Sequence, residues 1–357
     1  MDRVACGMAK QFLHLAVPLN TPTMEAKIAE ALPSGAGWQF EPKWDGFRCL
    51  AFRDRSAVEL RAKSGKSLTR YFPDVVQILL ALPSEQFVID GELAIPLGNA
   101  LSFDALQLRL HPAESRIRKL AAETPAIFIL FDILLGPDNH SLIKSPLRER
   151  RDRLEDLFKD WRDSKGVYLS PCSHSDRTAR KWLERAGGAL DGVIAKRVDE
   201  PYHPGERAMI KVKHLRTADC VVGGFRFAEN SEEVGSLLLG LYDPEGKLDH
   251  VGFTSGFAKL DRTKLTEKLL RLRKPPGFTG RAPGGPSRWS TERSGEWQPL
   301  APKLVAEVRY DHISGDRFRH GTKFLRWRPD KDPRDCTMDQ LTPEERPAAL
   351  IADILTR

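Results

Sequence analysis

Near Thr217 the chain changes its pattern, and no other feature constrains its fold as tightly. Before that point strand-like and helix-like runs alternate. Residues 47–53 and 57–61 read as two strands joined by the polar turn Asp54-Arg55-Ser56. Residues 74–82 place Val75, Leu79 and Leu82 on one face of a short helix. Residues 87–95 alternate again, and 126–135 form a continuous apolar run of buried-strand type. Ser145-Pro146 offers an N-cap with proline at the first helical position, so a charged helix is expected from there to about Trp161. Ser175 and Gly187-Gly188 bracket a further helix, and strands follow at 192–196 and 209–213. From Cys220 onward the chain is mostly short strands with glycine turns, at 221–227, 236–242, 249–253, 304–310 and 323–327, with one helix at 261–272. Five strands with one inserted helix fit a small Greek-key barrel of the OB type. The expected architecture is α+β over residues 1–216, then an OB-fold β-barrel over 217–357 that ends in an amphipathic helix at 343–356.

Bulk properties narrow the function classes. No stretch approaches the ~18–20 consecutive apolar residues of a membrane helix. The mildly apolar segment 12–19 is broken by His14 and Pro18 and lacks a small-residue cleavage pattern, so we expect a cytoplasmic protein without a leader. Cys6, Cys49, Cys172, Cys220 and Cys336 are odd in number and widely scattered, which argues against a disulfide framework and a zinc ribbon. With 56 Lys+Arg against 49 Asp+Glu, the net charge of +7 suits a polyanionic partner.

The chemistry concentrates before Thr217. Lys43 sits in Glu41-Pro42-Lys43-Trp44-Asp45-Gly46-Phe47-Arg48. An amine attacks phosphorus only when deprotonated, and a free lysine titrates near ~10.4. Neighbouring cations lower that value. Lys211 and Lys213, two apart on one strand, project from the same face and can line a pocket with Lys43; the plainer alternative is the solvated face of a strand. Asp90-Gly91-Glu92 puts two acids inside an apolar strand, where each needs a partner or a turn. Phe131 ends the run Ile127-Phe128-Ile129-Leu130-Phe131 before Asp132; it can stack on a purine or pack in the core. Asp191-Gly192-Val193-Ile194-Ala195-Lys196 repeats the order acid, glycine, buried strand, lysine, and an acid there can hold Mg²⁺ at phosphates or sit in a turn.

Taken in order, Lys43-x-Asp-Gly-x-Arg48, Asp90-Gly91-Glu92, Phe131-Asp132, Asp191 to Lys196 and Lys211-x-Lys213 resemble the covalent nucleotidyltransferase superfamily of DNA ligases, RNA ligases and mRNA capping enzymes. The resemblance runs from about Pro18 to Pro333. It implies a nucleotidyltransferase domain of ATP-grasp-like antiparallel sheets with helices, ahead of the OB domain. It also implies that Lys43 attacks ATP to give a lysyl-AMP phosphoramidate. Glu41 and Arg48 would flank adenine and ribose, Glu92 the ribose and Phe131 the base. Lys211 and Lys213 would contact the α-phosphate, and Asp191 would hold Mg²⁺.

Arg326-Trp327-Arg328-Pro329-Asp330-Lys331 resembles the last ligase motif, in which Arg328 and Lys331 would orient the pyrophosphate leaving group. That run favours DNA ligases over capping enzymes. The type implied is the small bacterial, core-only ATP-dependent DNA ligase related to end-joining ligases. It would act as a monomer on nicked duplex DNA, with a DNA-end-binding protein as recruiting partner. Two positions depart from the pattern. Asp191 stands where glutamate is usual, and Lys63 where an arginine often grips the nick 5′-phosphate, with Arg70 assisting. The alternatives are an RNA ligase or other polynucleotide adenylyltransferase, and a non-catalytic OB-type nucleic-acid-binding protein.

Overall fold

The computed structural model describes residues 14–98, 100–184, 190–213, 215–257, 260–284, 296–311 and 313–341. They fall into two compact units, one up to residue 213 and the other from Leu215 onward.

The first unit holds two sheets. A four-stranded sheet has the order β1 (Ala26–Ile28), β11 (Met209–Lys213), β10 (Leu190–Arg197), β2 (Trp38–Trp44), antiparallel except for the β1–β11 pair. A five-stranded sheet has the order β4 (Ala57–Ala62), β3 (Phe47–Asp54), β5 (Gln86–Ala94), β8 (Ile127–Leu135), β9 (Val167–Leu169). A two-stranded hairpin of β6 (Pro96–Leu97) and β7 (Ala100–Leu101) follows β5. The helices are α1 (Pro73–Ala81), α2 (Phe103–Arg109), α3 (Glu114–Glu123), α4 (Leu147–Trp161) and α5 (Asp176–Glu184).

Strand alternation gives the five-stranded sheet two buried faces. Cys49, Ala51, Ile89 and Leu130 pack with Val75 and Leu79 of α1 and with Leu154 and Trp161 of α4. From the other face Leu50, Phe52 and Val88 pack with Met209 and Tyr202, while Ile127 and Ile129 pack with Phe40, Val193 and Ala195. The second set joins the two sheets. Strand β2 has no strand-like pattern in the sequence, because Glu41, Pro42 and Lys43 interrupt its apolar residues. The cap expected at Ser145 also differs: α4 starts at Leu147 with Pro146 as N-cap. The Ser145 carbonyl instead accepts from Arg150 Nη1 at 2.7 Å.

The second unit is built on β12 (Arg216–Phe227), β13 (Val234–Tyr242), β14 (Leu248–Thr254), β15 (Gln298–Pro299), β16 (Val305–Tyr310), β17 (Ile313–Ser314), β18 (Arg317–Phe318) and β19 (Lys323–Trp327). Helix α6 (Arg262–Arg271) follows β14, capped by the Asp261 carboxylate, which accepts from Lys264 N at 3.1 Å. The main sheet runs β14-β13-β12-β16-β19, with β15 beside β12. Among the described residues its ladders do not close into the expected barrel. The edge strands meet at one bridge, Thr254 with Thr322, where Thr322 N donates to Phe253 O at 3.0 Å. The expected helix at 343–356 and the Gly187-Gly188 helix end lie outside the described residues.

Candidate active site

Sheet register assembles one wall of the site. Lys43 on β2 faces Gly192 on β10, and Gly192 faces Lys213 on β11. One step along, Glu41 faces Ile194, which faces Lys211. The β10–β2 ladder slips between Leu190 and Gly192, leaving Asp191 as the extra residue of a bulge. A bulge re-aims its side chain. The Asp191 carboxylate, 6% exposed, takes Lys43 Nζ at 2.5 Å and Lys213 Nζ at 3.2 Å on the same Oδ2 atom. Gly192 permits this packing: its φ is +145°, and a Cβ there would stand 2.1 Å from the Val212 carbonyl oxygen.

A turn at Asp45-Gly46 carries the chain from β2 in one sheet to β3 in the other. A Cβ on Gly46 would meet Leu93 O at 2.3 Å and Glu92 Cγ at 2.8 Å, so the glycine of Lys-x-Asp-Gly lets the turn pass beside Glu92. Beyond it, Arg48 forks onto Asp90, with Nε on Oδ1 at 3.0 Å and Nη2 on Oδ2 at 2.6 Å. Asp90 is fully buried, and this pair is the partner that its apolar strand required. Burial works against the Arg48 charge, but the Asp90 carboxylate more than offsets it and raises the guanidinium above its ordinary value. Burial pushes Glu92 up to about 8; Asp90 and Asp45 add to the shift, while Lys43 and Arg48 oppose it.

Phe131 is flanked by two cations, Arg48 at 5.5 Å and Lys196 at 4.9 Å from its ring centre. Lys196 pairs with Glu41 Oε2 at 2.8 Å, and Gln39 Nε2 donates to Glu41 Oε1 at 2.7 Å. Both oxygens of that buried acid are thus engaged. Lys211 is held below the usual lysine range by burial first, then by the charges of Lys43, Lys213 and Lys63.

One cavity is lined by Glu41, Lys43, Arg48, Lys63, Glu92, Phe131 and Lys211, all given a role from the sequence, together with Glu25, Ile194, Lys196 and Met209, to which the sequence assigned none. Asp191 is tied to it by its ion pair with Lys43, and Lys213 by its ion pair with Asp191. Lys63 is 3.2 Å from Glu25, whose carboxyl it lowers through a direct hydrogen bond. Arg70 is not among the lining residues; it donates to Pro112 O at 2.8 Å. Arg328 and Lys331 belong to the second unit. There Arg328 donates to Asp219 at 2.9 Å and to Asp330 at 2.8 Å, and Lys331 is 3.9 Å from Asp219. Lys196 had a sequence signal, as the lysine that ends the Asp191 strand. Glu25 and Met209 had none.

A lysine paired with a bulge carboxylate, beside an aromatic ring and two further lysines, is an arrangement for handling a nucleotide phosphate. Comparison with known proteins gives its family. The model described as "ATP dependent DNA ligase domain" matches residues 18–213, and that described as "ATP dependent DNA ligase C terminal region" matches 230–331. The chain belongs to the ATP-dependent DNA ligases. This ligase is 45% identical over 340 residues to DNA ligase C1 of Mycolicibacterium smegmatis, covering 91% of the chain and 95% of that relative. It is 30% identical over 306 residues to the multifunctional non-homologous end joining DNA repair protein LigD of Mycobacterium tuberculosis, covering 85% of the chain and 37% of that protein. A solved Lig E DNA ligase shares the fold of this ligase at 18% identity, with a TM-score of 0.55 over 86% of the chain and 99% of that structure. This ligase is therefore an ATP-using enzyme that joins DNA strands, with the nucleotidyltransferase and OB domains of its family.

Proposed function

We propose that Lys43 is the nucleophile of this ligase and that the cavity around it is the ATP site. The observation that carries the reading is the Lys43 Nζ–Asp191 Oδ2 contact of 2.5 Å, at a cavity also lined by Arg48, Glu92, Phe131 and Lys211. Asp191 holds the ammonium in place and stands ready to take its proton. The freed amine attacks the α-phosphorus; the N–P bond forms as the bond to pyrophosphate breaks. Phe131 stacks on the base, Glu92 and Arg48 orient the ribose, Glu41 lies at the base end, and Lys211 and Lys213 stabilise the charge that develops on the α-phosphate. AMP then passes to a nick 5′-phosphate gripped by Lys63 and Arg70, and the 3′-hydroxyl displaces it.

Mg²⁺ fits this donor set as a partner of the nucleotide. Among the described residues no three His, Cys, Asp or Glu side chains gather at one point. A lone carboxylate nonetheless suits an ion that takes its other oxygens from water and phosphates. Asp191 would hold it, and when bound it would neutralise charge on the triphosphate.

Residues 1–216 form the adenylation domain in this reading, and 217–357 the OB domain, whose Arg328 and Lys331 orient the leaving pyrophosphate. The enzyme works as a monomer on nicked duplex DNA in the cytoplasm. Similarity to an end joining protein supports a role in end joining with a DNA-end-binding partner. The decisive test incubates the chain with α-phosphate-labelled ATP and Mg²⁺. Wild type is expected to carry an acid-stable label and Lys43→Ala none; an unlabelled wild type, or a labelled Lys43→Ala, rejects the assignment. Nicked duplexes with DNA or RNA flanking the nick test the substrate, and sealing of the RNA version alone would reject DNA.

A further inference from the structure

Tyr202 lies between β10 and β11, in Pro201-Tyr202-His203-Pro204, and is 2% exposed. Its hydroxyl accepts from Met24 N at 2.9 Å and donates to Asp90 Oδ2 at 2.7 Å. Asp90 is the acid onto which Arg48 forks. In sheet register Asp90 faces Asp132 on β8, whose carboxylate takes Arg150 Nε at 2.7 Å and Nη2 at 3.0 Å. The Arg150 guanidinium in turn lies 5.7 Å from the Tyr202 ring centre. Two buried acids in facing positions thus hold two arginines, and Tyr202 touches both systems, one through its hydroxyl and the other through its ring.

The connection that carries Tyr202 matters more than the contacts themselves. It links two strands of the four-stranded sheet, the sheet that holds Lys43. Asp90 and Arg48 belong to the five-stranded sheet. The Tyr202–Asp90 hydrogen bond therefore spans the two sheets that wall the cavity. A carboxylate torsion is broad by itself. The tyrosine supplies a third donor that fixes the Asp90 plane, and the planar guanidinium fork follows that plane.

We propose that Tyr202 is a positioning residue for the nucleotide step, locking Asp90 so that Arg48 is held beside Phe131 and opposite Lys43. The proposal rests on the cavity being the ATP site. Tyr202 makes no contact with the nucleotide in this account; it acts through Arg48. Its effect therefore falls on ATP binding more than on the rate of the bound complex.

The test measures lysyl-AMP formation by the full chain in single turnovers, with labelled ATP varied over a wide range. Tyr202→Phe is expected to raise the half-saturating ATP concentration roughly tenfold, the scale of one hydrogen bond to a charged group. The maximal rate should stay within about threefold. In an Arg48→Lys background, which keeps the charge and loses the fork, the same substitution should add less than about twofold. An unchanged ATP dependence in Tyr202→Phe overturns the proposal. So does a tenfold rise that persists with Arg48→Lys, or a fall in maximal rate that merely tracks lost folded protein in a thermal melt. Should Tyr202→Phe fail to fold, 3-fluorotyrosine at position 202 keeps the ring and hydroxyl while acidifying the phenol. A change of at least about twofold in half-saturating ATP then supports the proposal, and none overturns it. The two readings fail separately: no label on wild type removes the ATP site itself, whereas normal labelling with a wild-type ATP dependence in Tyr202→Phe removes only the role of Tyr202.

Discussion

In the first unit Arg48 is set against a fully buried acid, whereas in the second Arg328 is shared between the partly buried Asp219 and the exposed Asp330. Asp132 and Arg150 are each 1% exposed, and Asp90 is fully buried beneath Arg48. Around Arg328, by contrast, Asp330 is 62% exposed, and the neighbouring Arg326 is 65% exposed on Glu307. Charges removed from water hold their geometry because leaving a partner unmatched is costly. Charges at the surface can rearrange at little cost, being screened and hydrated. The difference separates a first unit whose charged geometry is fixed by burial from a second whose Arg326 and Asp330 are free to move in water.

The largest effect should come from breaking a buried pair. Arg150→Met leaves Asp132 buried without its counter-ion and is expected to destabilise the chain by about 3–5 kcal/mol. A urea titration reads this as a lower midpoint, and a midpoint equal to wild type would end the comparison.

Titration separates the units next. Glu92 in the first unit is raised from an ordinary 4.5 to about 8, chiefly by burial. Between those values the native chain holds a proton that the unfolded chain has released. Stability is therefore fullest below the window and declines as pH rises through it. His250 in the second unit moves the other way, from 6.5 to about 3, through burial and then the charges of Arg317, Arg226 and Arg281. The unfolded chain takes up a proton that the native chain refuses, so stability is lost as pH falls below 6.5 towards 3. Glu92→Gln should flatten the decline as pH rises from 4.5 to about 8, and His250→Phe the decline as pH falls below 6.5. Melting midpoints between pH 4 and pH 9 check both, and a shared response would merge what burial keeps apart.

The smallest effect on stability should follow Arg328→Ala, which removes a partly buried contact to Asp219 and an exposed one to Asp330. Its urea midpoint should hardly move, while lysyl-AMP formation slows if Arg328 orients pyrophosphate. A midpoint shift as large as that of Arg150→Met would show the surface network to be structural.

Much of the site was legible because its signals are local. The spacing of Lys211 and Lys213 puts them on one face whatever the strand pairs with, and an acid inside the apolar run at Asp90 demands a partner. Which partner it finds was not legible. Arg48 answers from across a strand pair and Tyr202 from a turn 112 residues away, and neither separation leaves a periodicity. Strand β2 leaves little signal for a related reason: Glu41 and Lys43 lie along a cavity and Pro42 breaks the expected composition, so its residues look like a loop. The motif offers Asp191 as a metal ligand or a turn acid, and only the bulge in the β10–β2 ladder reveals that two lysines meet on it. In the second unit the strands were plain from their glycine turns. How their edges meet was not, since one bridge at Thr254 and Thr322 takes the place of a ladder.

The shared carboxylate of Asp191 has a consequence for how the enzyme knows its own state. Two ammonium groups meet one carboxylate there, so that trio is net positive before ATP arrives. If Lys43 becomes a phosphoramidate, its nitrogen no longer carries a charge, and once Asp191 has passed the proton to solvent the trio turns neutral as an anionic nucleotide settles beside it. Loading would then be written into the local field as well as into a covalent bond. A polyanionic strand approaching the site would meet a different potential before and after adenylation, and the enzyme would have a memory of one bit, held in a single aspartate.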